Sequence, residues 1–205
     1  MSSFLPIEAA LHKDGFVFVA GLDEAGRGPL AGPVVSAVVI LKPDAKLKGL
    51  NDSKLLTPSQ REALFPQILA NCLDYAISII PHSTIDKYNI LHATRLANLN
   101  CLTHLKRIPD ITLIDGHDKQ LFDFPHQTII KGDSKVKSIA AASVLAKVTR
   151  DHIMRHYAKE FPAYAFEEHM GYGTRLHRDL IKKHGPCEIH RKSFILRRAE
   201  QLNLI

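Results

Sequence analysis

The chain has 205 residues, 45% of them hydrophobic and 23% charged, with a formal net charge of +6. That length suffices to bury the core of one ordinary domain, and the absence of any apolar run of about 18 residues excludes a membrane-spanning helix. The positive excess is local: residues 131–205 hold 15 Lys and Arg against 8 Asp and Glu, whereas residues 1–130 hold 12 against 13. So concentrated a basic region suits a polyanion such as nucleic acid, although a solvated basic surface has the same composition.

Phe16 to Leu22 is a continuous apolar run and reads as a buried strand. Pro33 to Leu41 reads as a second, able to pair with the first as a hairpin around the irregular turn at Gly26-Arg27-Gly28-Pro29. Thr57 can cap a helix with Pro58 at its first position and Gln60 in the capping box, the helix running to about Asn71. Tyr75 to Ile80 is a third strand, closed by Pro81. Asn89 to Lys106 has helical spacing, with Leu91, Leu96, Leu99 and Leu102 as the expected apolar stripe. Short strands follow at Ile111–Ile114 and Gln127–Ile130, then a helix from about Lys135 to Lys159 whose Val136, Ala140, Val144 and Val148 should face the sheet. From Thr174 the tail reads as helical, broken at Gly185-Pro186. Strands that come first as a group and then mix with helices predict an α/β fold with a mixed sheet. Cys72, Cys101 and Cys187 are odd in number and not closely paired, so they read as reduced thiols of a cytoplasmic protein. Met1 to Leu11 lacks the basic start and apolar core of a secretory signal.

Four acids stand at strand ends: Asp23 and Glu24 after the first strand, Asp115 after the fourth, Asp133 after the fifth. Such ends are where ligands gather in α/β folds. Carboxylates that converge there cannot all ionise without cations, and hard divalent ions such as Mg²⁺ or Mn²⁺ meet that need with oxygen ligands. Each acid alone also has an ordinary reading: Asp133 as a helix cap, Asp115-Gly116 as a turn, Asp23-Glu24 as solvated side chains. Adjacent strand residues point to opposite faces, so Asp23 and Glu24 share one site only if the strand ends or bulges between them, a departure that the glycine-rich Gly26-Arg27-Gly28 just after them favours.

Gly26-Arg27-Gly28 offers bare backbone and a cationic fork to a sugar-phosphate, or makes a tight turn. Ser143, Lys147 and Arg150 fall on one helical line that could follow a phosphate backbone, or a solvated face. Lys131, Lys135 and Lys137 add positive charge around Asp133. Tyr172, between Gly171 and Gly173, is placed to pack on a sugar or base, or in a core. His169, His177, His184 and His190 are not at tight ligand spacing and read mostly as surface or structural.

Taken together, these blocks resemble a known family. Gly21-Leu-Asp-Glu-Ala-Gly-Arg-Gly-Pro-Leu-Ala-Gly-Pro33, Asn51-Asp-Ser-Lys-Leu55, Leu113-Ile-Asp-Gly116, Lys131-Gly-Asp-Ser-Lys135 with Ile139 to Asp151, His169 to Thr174, and His190-Arg-Lys-Ser-Phe194 resemble, in order, the signatures of ribonuclease HII, the bacterial type 2 ribonuclease H. The resemblance implies a ribonuclease H-like fold, a five-stranded mixed sheet flanked by helices, with residues 1–173 as catalytic domain and 174–205 as a short helical extension. It implies Asp23, Glu24, Asp115 and Asp133 as catalytic acids holding two Mg²⁺ or Mn²⁺ ions, and cleavage of RNA/DNA hybrids and RNA–DNA junction duplexes to 3′-hydroxyl and 5′-phosphate ends. Recognition of the junction falls on Gly26, Arg27, Gly28 and Tyr172, with Lys54, Lys147 and Arg150 as candidate phosphate contacts. The related HIII enzymes carry a lysine variant of the glycine loop and a further N-terminal domain, whereas this chain has Arg27 and about 15 residues before its first strand. Glu200 to Ile205 lacks the aromatics of a clamp-binding tail, so no clamp contact by that route is expected, and the chain is expected to be a monomer. Two other classes compete. A noncatalytic hybrid-binding protein would use the basic face but not four acids, and a carboxylate acid/base hydrolase would use two acids and leave the basic tail unexplained.

Overall fold

The computed structural model describes residues 4–117 and 123–194. A short helix α1 (Ile7–Lys13) precedes β1 (Val19–Ala25) and β2 (Val34–Leu41); α2 (Pro58–Asn71), β3 (Cys72–Ile80) and α3 (His82–His104) follow. Then come β4 (Ile111–Asp115), β5 (His126–Ile129), the long α4 (Lys137–Glu160), the single turn α5 (Phe166–His169) and α6 (Arg175–His184). The sheet has the order β3-β2-β1-β4-β5, with β2 antiparallel to both β1 and β3, and with β4 parallel to both β1 and β5. This is the mixed five-stranded sheet expected.

Strand alternation sorts the core into two layers. Val35, Ala37 and Val39 of β2 face α4, packing on Ala140, Ala141 and Val144. Ala20 and Leu22 of β1, with Val38 and Ile40, face α3 and meet Cys101 and Leu102. The expected α4 stripe is buried throughout, and the capping box of α2 forms as read, Thr57 Oγ1 accepting from Gln60 N and Thr57 N donating to Gln60 Oε1. Among the described residues no helix is long and apolar enough to cross a membrane.

Two elements depart from expectation. β1 starts three residues late and runs on through both acids. The Asp110 carboxylate accepts the N–H groups of Val17 and Phe18 at 2.7 and 2.8 Å, which withdraws them from the ladder. α3 begins at His82, because Asn89 is not a start but a kink at φ 69°, its side chain capping Leu91 N and His92 N. The buried face beyond the kink is Ala93, Ala97, Asn98, Cys101 and Leu102, and Leu96 is 40% exposed. Leu102 of the expected stripe is on that face, but small residues make up most of it and let α3 lie close to the sheet, so the other leucines were the wrong guide. Residues 195–205, with the tail expected to lack a clamp motif, lie outside the described residues.

Candidate metal centre and nucleic-acid cleft

β1 and β4 run parallel with Gly21 opposite Leu113. Asp23 and Asp115 therefore project from the same face near the same sheet end, the face covered by α4. Asp133 comes up beside them on a single 3₁₀ turn, Gly132–Ser134, between β5 and α4. Carboxylate oxygens of Asp23, Asp115 and Asp133 lie within 4.8 Å of one another. Three acids separated by up to 110 residues in the chain thus meet at one point.

Burial is the main reason the Asp23 carboxyl is pushed well above its ordinary range, with the charges of Glu24 and Asp115 adding to it; a Ser143 hydrogen bond works the other way. Asp115 is raised too, by burial and then by Asp133, against the Gly132 N–H that donates to its Oδ1 at 2.6 Å. Oxygen donors that repel one another in a buried pocket are the donor set a hard divalent cation relieves.

Glu24 is not in that group. β1 neither ends nor bulges between Asp23 and Glu24, which pair with Ala37 and Ser36 in unbroken register, so Glu24 starts out toward the other face. It borders the same cleft, where Arg27 Nη1 donates to its Oε1 at 3.2 Å.

The cleft itself, about 240 Å³, is lined by Asp23, Glu24 and Asp115 and by Gly26, Arg27, Gly28, Lys54, Lys147 and Tyr172. A larger groove of about 790 Å³ is walled mainly by residues 45–56, with lysines and no carboxylate, so it lacks the clustered acids found at Asp23, Asp115 and Asp133. Lys54 Nζ donates to Asp133 Oδ2 at 3.1 Å. Burial draws its pKa down, and the Asp133 hydrogen bond and charge outweigh that and hold it raised. Its loop is braced from below: Ser53 Oγ meets Ser143 Oγ at 2.7 Å, and the buried Arg61 donates to the Ser53 and Leu56 carbonyls. Lys147 pairs with Asp151 at 2.7 Å and sits 5.5 Å from the Tyr172 ring centre, which is 39% exposed at the cleft.

Arg150 corrects the expectation of a phosphate contact. It is fully buried, and its guanidinium donates to the carbonyls of Pro33, Ala31 and Met170 at 2.9 to 3.1 Å, because the 26–33 loop folds over that face of α4. Arg191, also buried, completes the clamp by donating to Gly26, Arg27, Gly32 and Pro33 carbonyls. Burial and the neighbouring Arg150 pull its pKa down to about 9. Gly26 takes φ 98°, and a Cβ there would strike the Arg150 side chain and the Pro33 carbonyl oxygen, so glycine is required for both reasons. Lys135 and Lys137 are spent on the Ile130 and Ala45 carbonyls rather than turned toward Asp133. Arg61 and Arg191 carried no local signal of these roles, since their hydrogen bonds go to backbone carbonyls.

The chain matches the family model described as Ribonuclease HII over residues 20–197. It is 47% identical over 193 residues to a ribonuclease HII of Caldicellulosiruptor saccharolyticus, covering 94% of each chain. It is 50% identical over 194 residues to that of Endomicrobium trichonymphae, covering 94% of this chain and 92% of the relative. The solved ribonuclease H2 of Pyrococcus horikoshii OT3 superposes with a TM-score of 0.74 at 27% identity, over 86% of this chain and 93% of that one.

Proposed function

The chain belongs to the ribonuclease HII family, metal-dependent hydrolases of the ribonuclease H type, and from that premise we propose that it is an endonuclease for the RNA strand of RNA/DNA hybrids that also cuts 5′ of ribonucleotides embedded in duplex DNA, leaving 3′-hydroxyl and 5′-phosphate ends. One observation carries the reading: three carboxylates from separate strand ends share one point, in a cleft walled by a glycine-rich loop, cations and an exposed tyrosine.

Asp23, Asp115 and Asp133 would hold Mg²⁺ or Mn²⁺, with Glu24 supporting from the cleft edge. Two such ions, when bound, supply charge neutralisation at the scissile phosphate and a more acidic water. The protein's own groups do the rest. Arg27 holds Glu24 by its guanidinium while its carbonyl is fixed by Arg191. The bare backbone of Gly26 to Gly28 can approach a 2′-hydroxyl, the one group that separates a ribonucleotide from its DNA neighbour. The Tyr172 ring suits the flat face of the next, hydroxyl-free sugar. Lys54 neutralises Asp133 and, being largely exposed, can turn to a phosphate as substrate arrives. The domain division at 173/174 belongs to the same reading: α6, with Arg175, Arg178, Lys182 and Lys183, would extend the basic surface beyond the catalytic unit.

The test uses a DNA duplex with a single ribonucleotide. With Mg²⁺ or Mn²⁺ the strand is expected to be cut on the 5′ side of that residue, and with EDTA to stay intact. Cleavage that persists in EDTA would exclude the metal site. A duplex bound but uncut under all three conditions would favour a noncatalytic hybrid-binding protein.

A further inference from the structure

Behind the cleft, three histidines from one short stretch of the chain, His169, His177 and His190, are buried together. His169 and His177 stack with ring centres 4.2 Å apart, and His177 Nε2 lies 3.0 Å from His190 Nε2. Burial first, and neighbouring His169 next, push both His177 and His190 down to about 4, so both rings are neutral near pH 7. One arrangement of protons fits the contacts. The Cys187 backbone N–H donates to His190 Nδ1 at 2.9 Å, a closer contact than the Cys187 carbonyl at 3.3 Å, so the His190 proton sits on Nε2 and is donated to His177 Nε2. The His177 proton is then on Nδ1, which donates at 3.0 Å to the backbone carbonyl of Tyr172.

The segment carrying His190 is fastened to the opposite wall of the cleft as well. Gly32 N donates to the Ile189 carbonyl, Arg191 N donates to the Leu30 carbonyl, and Arg191 Nη2 reaches the Gly26 carbonyl at 2.6 Å. The glycine loop and the tyrosine are therefore both referenced to residues 189–191.

We propose that His177 and His190 are positioning residues for ribonucleotide recognition: their hydrogen-bonded relay holds the Tyr172 backbone, and with it the ring, at a set distance from the Gly26–Gly28 loop. The inference rests on the reading of Tyr172 as a substrate contact given above. Neither histidine touches substrate; each acts through the tyrosine.

Side-chain amides can test each link. The amide nitrogen of Asn falls near a histidine Nδ1, and that of Gln near Nε2. At position 177 the essential donor is on the Nδ1 side, so His177→Asn should keep kcat/KM on the singly substituted duplex within about threefold of wild type, while His177→Gln should lose tenfold or more. At position 190 the essential donor is on the Nε2 side, so the preference should reverse: His190→Gln retains activity and His190→Asn loses it. If one position yields no folded protein, the other pair still decides. In a Tyr172→Ala background the Asn and Gln variants should become equivalent. A merely structural cluster would keep the Asn/Gln preference in the Tyr172→Ala background, and equal losses from Asn and Gln at either position, with Tyr172→Ala itself impaired, would overturn the relay alone. A Tyr172→Ala enzyme as active as wild type would instead remove the tyrosine reading and the relay with it.

Discussion

Asp23→Asn is expected to lower cleavage by three orders of magnitude or more, about 4 kcal/mol of transition-state stabilisation, while raising the melting temperature of the metal-free protein. The two effects share one cause. Asp23 is 4% exposed and stands among acids, so its ionised form is costly in the absence of a cation. Its folded pKa is raised above the unfolded value. The stability it contributes is therefore fully present below the ordinary carboxylate range and is lost as pH rises through the raised folded value. Above the ordinary carboxylate range the acid opposes folding, because the pocket disfavours the charge that the unfolded chain carries freely, and Asn keeps the shape without the charge. Melting curves in EDTA should accordingly place the variant above wild type at pH 7.5, with the gap closing as pH falls toward 4. Added Mg²⁺ should stabilise wild type more than the variant. A variant that melts lower than wild type in EDTA at pH 7.5 would contradict the electrostatic account of the pocket.

Gly21→Ala should be the most damaging change in the core. Gly21 lies two residues before Asp23 on the β1 face that meets α4, and a Cβ there would overlap the Ser138 carbonyl carbon and the Ile139 nitrogen. Both obstacles are helix backbone, so no rotamer change relieves them, and α4 would have to lift from the sheet. A cost at or beyond the upper end of overpacking, about 3 kcal/mol or more, is expected, a drop of roughly 10 °C in melting temperature for a chain of this size. Metal binding should fall with it, because α4 carries Ser143, which hydrogen-bonds Asp23. Gly28→Ala is the matched control for stability: a Cβ there meets nothing within 4 Å, and its melting temperature should stay within about 2 °C of wild type. Equal melting temperatures for the two variants would show that the close approach of β1 and α4 is not required.

How far the site could be read beforehand follows from the range of the interactions involved. Asp23 and Asp115 were legible because each ends a short apolar run and Asp133 because it follows a third short strand, and the ends of parallel strands gather at one edge whatever the details of packing. Glu24 was half legible: alternation set the condition for it to join Asp23, but the glycines that follow were read as favouring a bulge, and β1 continues straight through both. Arg150 was misread because a helical line identifies a face without saying what covers it, and the covering loop lies 117 or more residues earlier in the chain. Arg191 was out of reach for the same reason, its partners being distant backbone carbonyls of a kind every residue possesses, while the histidine relay was missed because its spacings match no tight ligand pattern. In α3 the leucines outbid the alanines in a count of hydrophobicity, whereas close packing against β2 selected the small residues.

The central claim is that Asp23, Asp115 and Asp133 together trap a divalent cation. Anomalous scattering from crystals grown with Mn²⁺ at a concentration that supports cleavage tests it most directly. Manganese bonded to oxygens of these three aspartates is the predicted result; crystals with the cleft open to solvent and no manganese between the three carboxylates would contradict it.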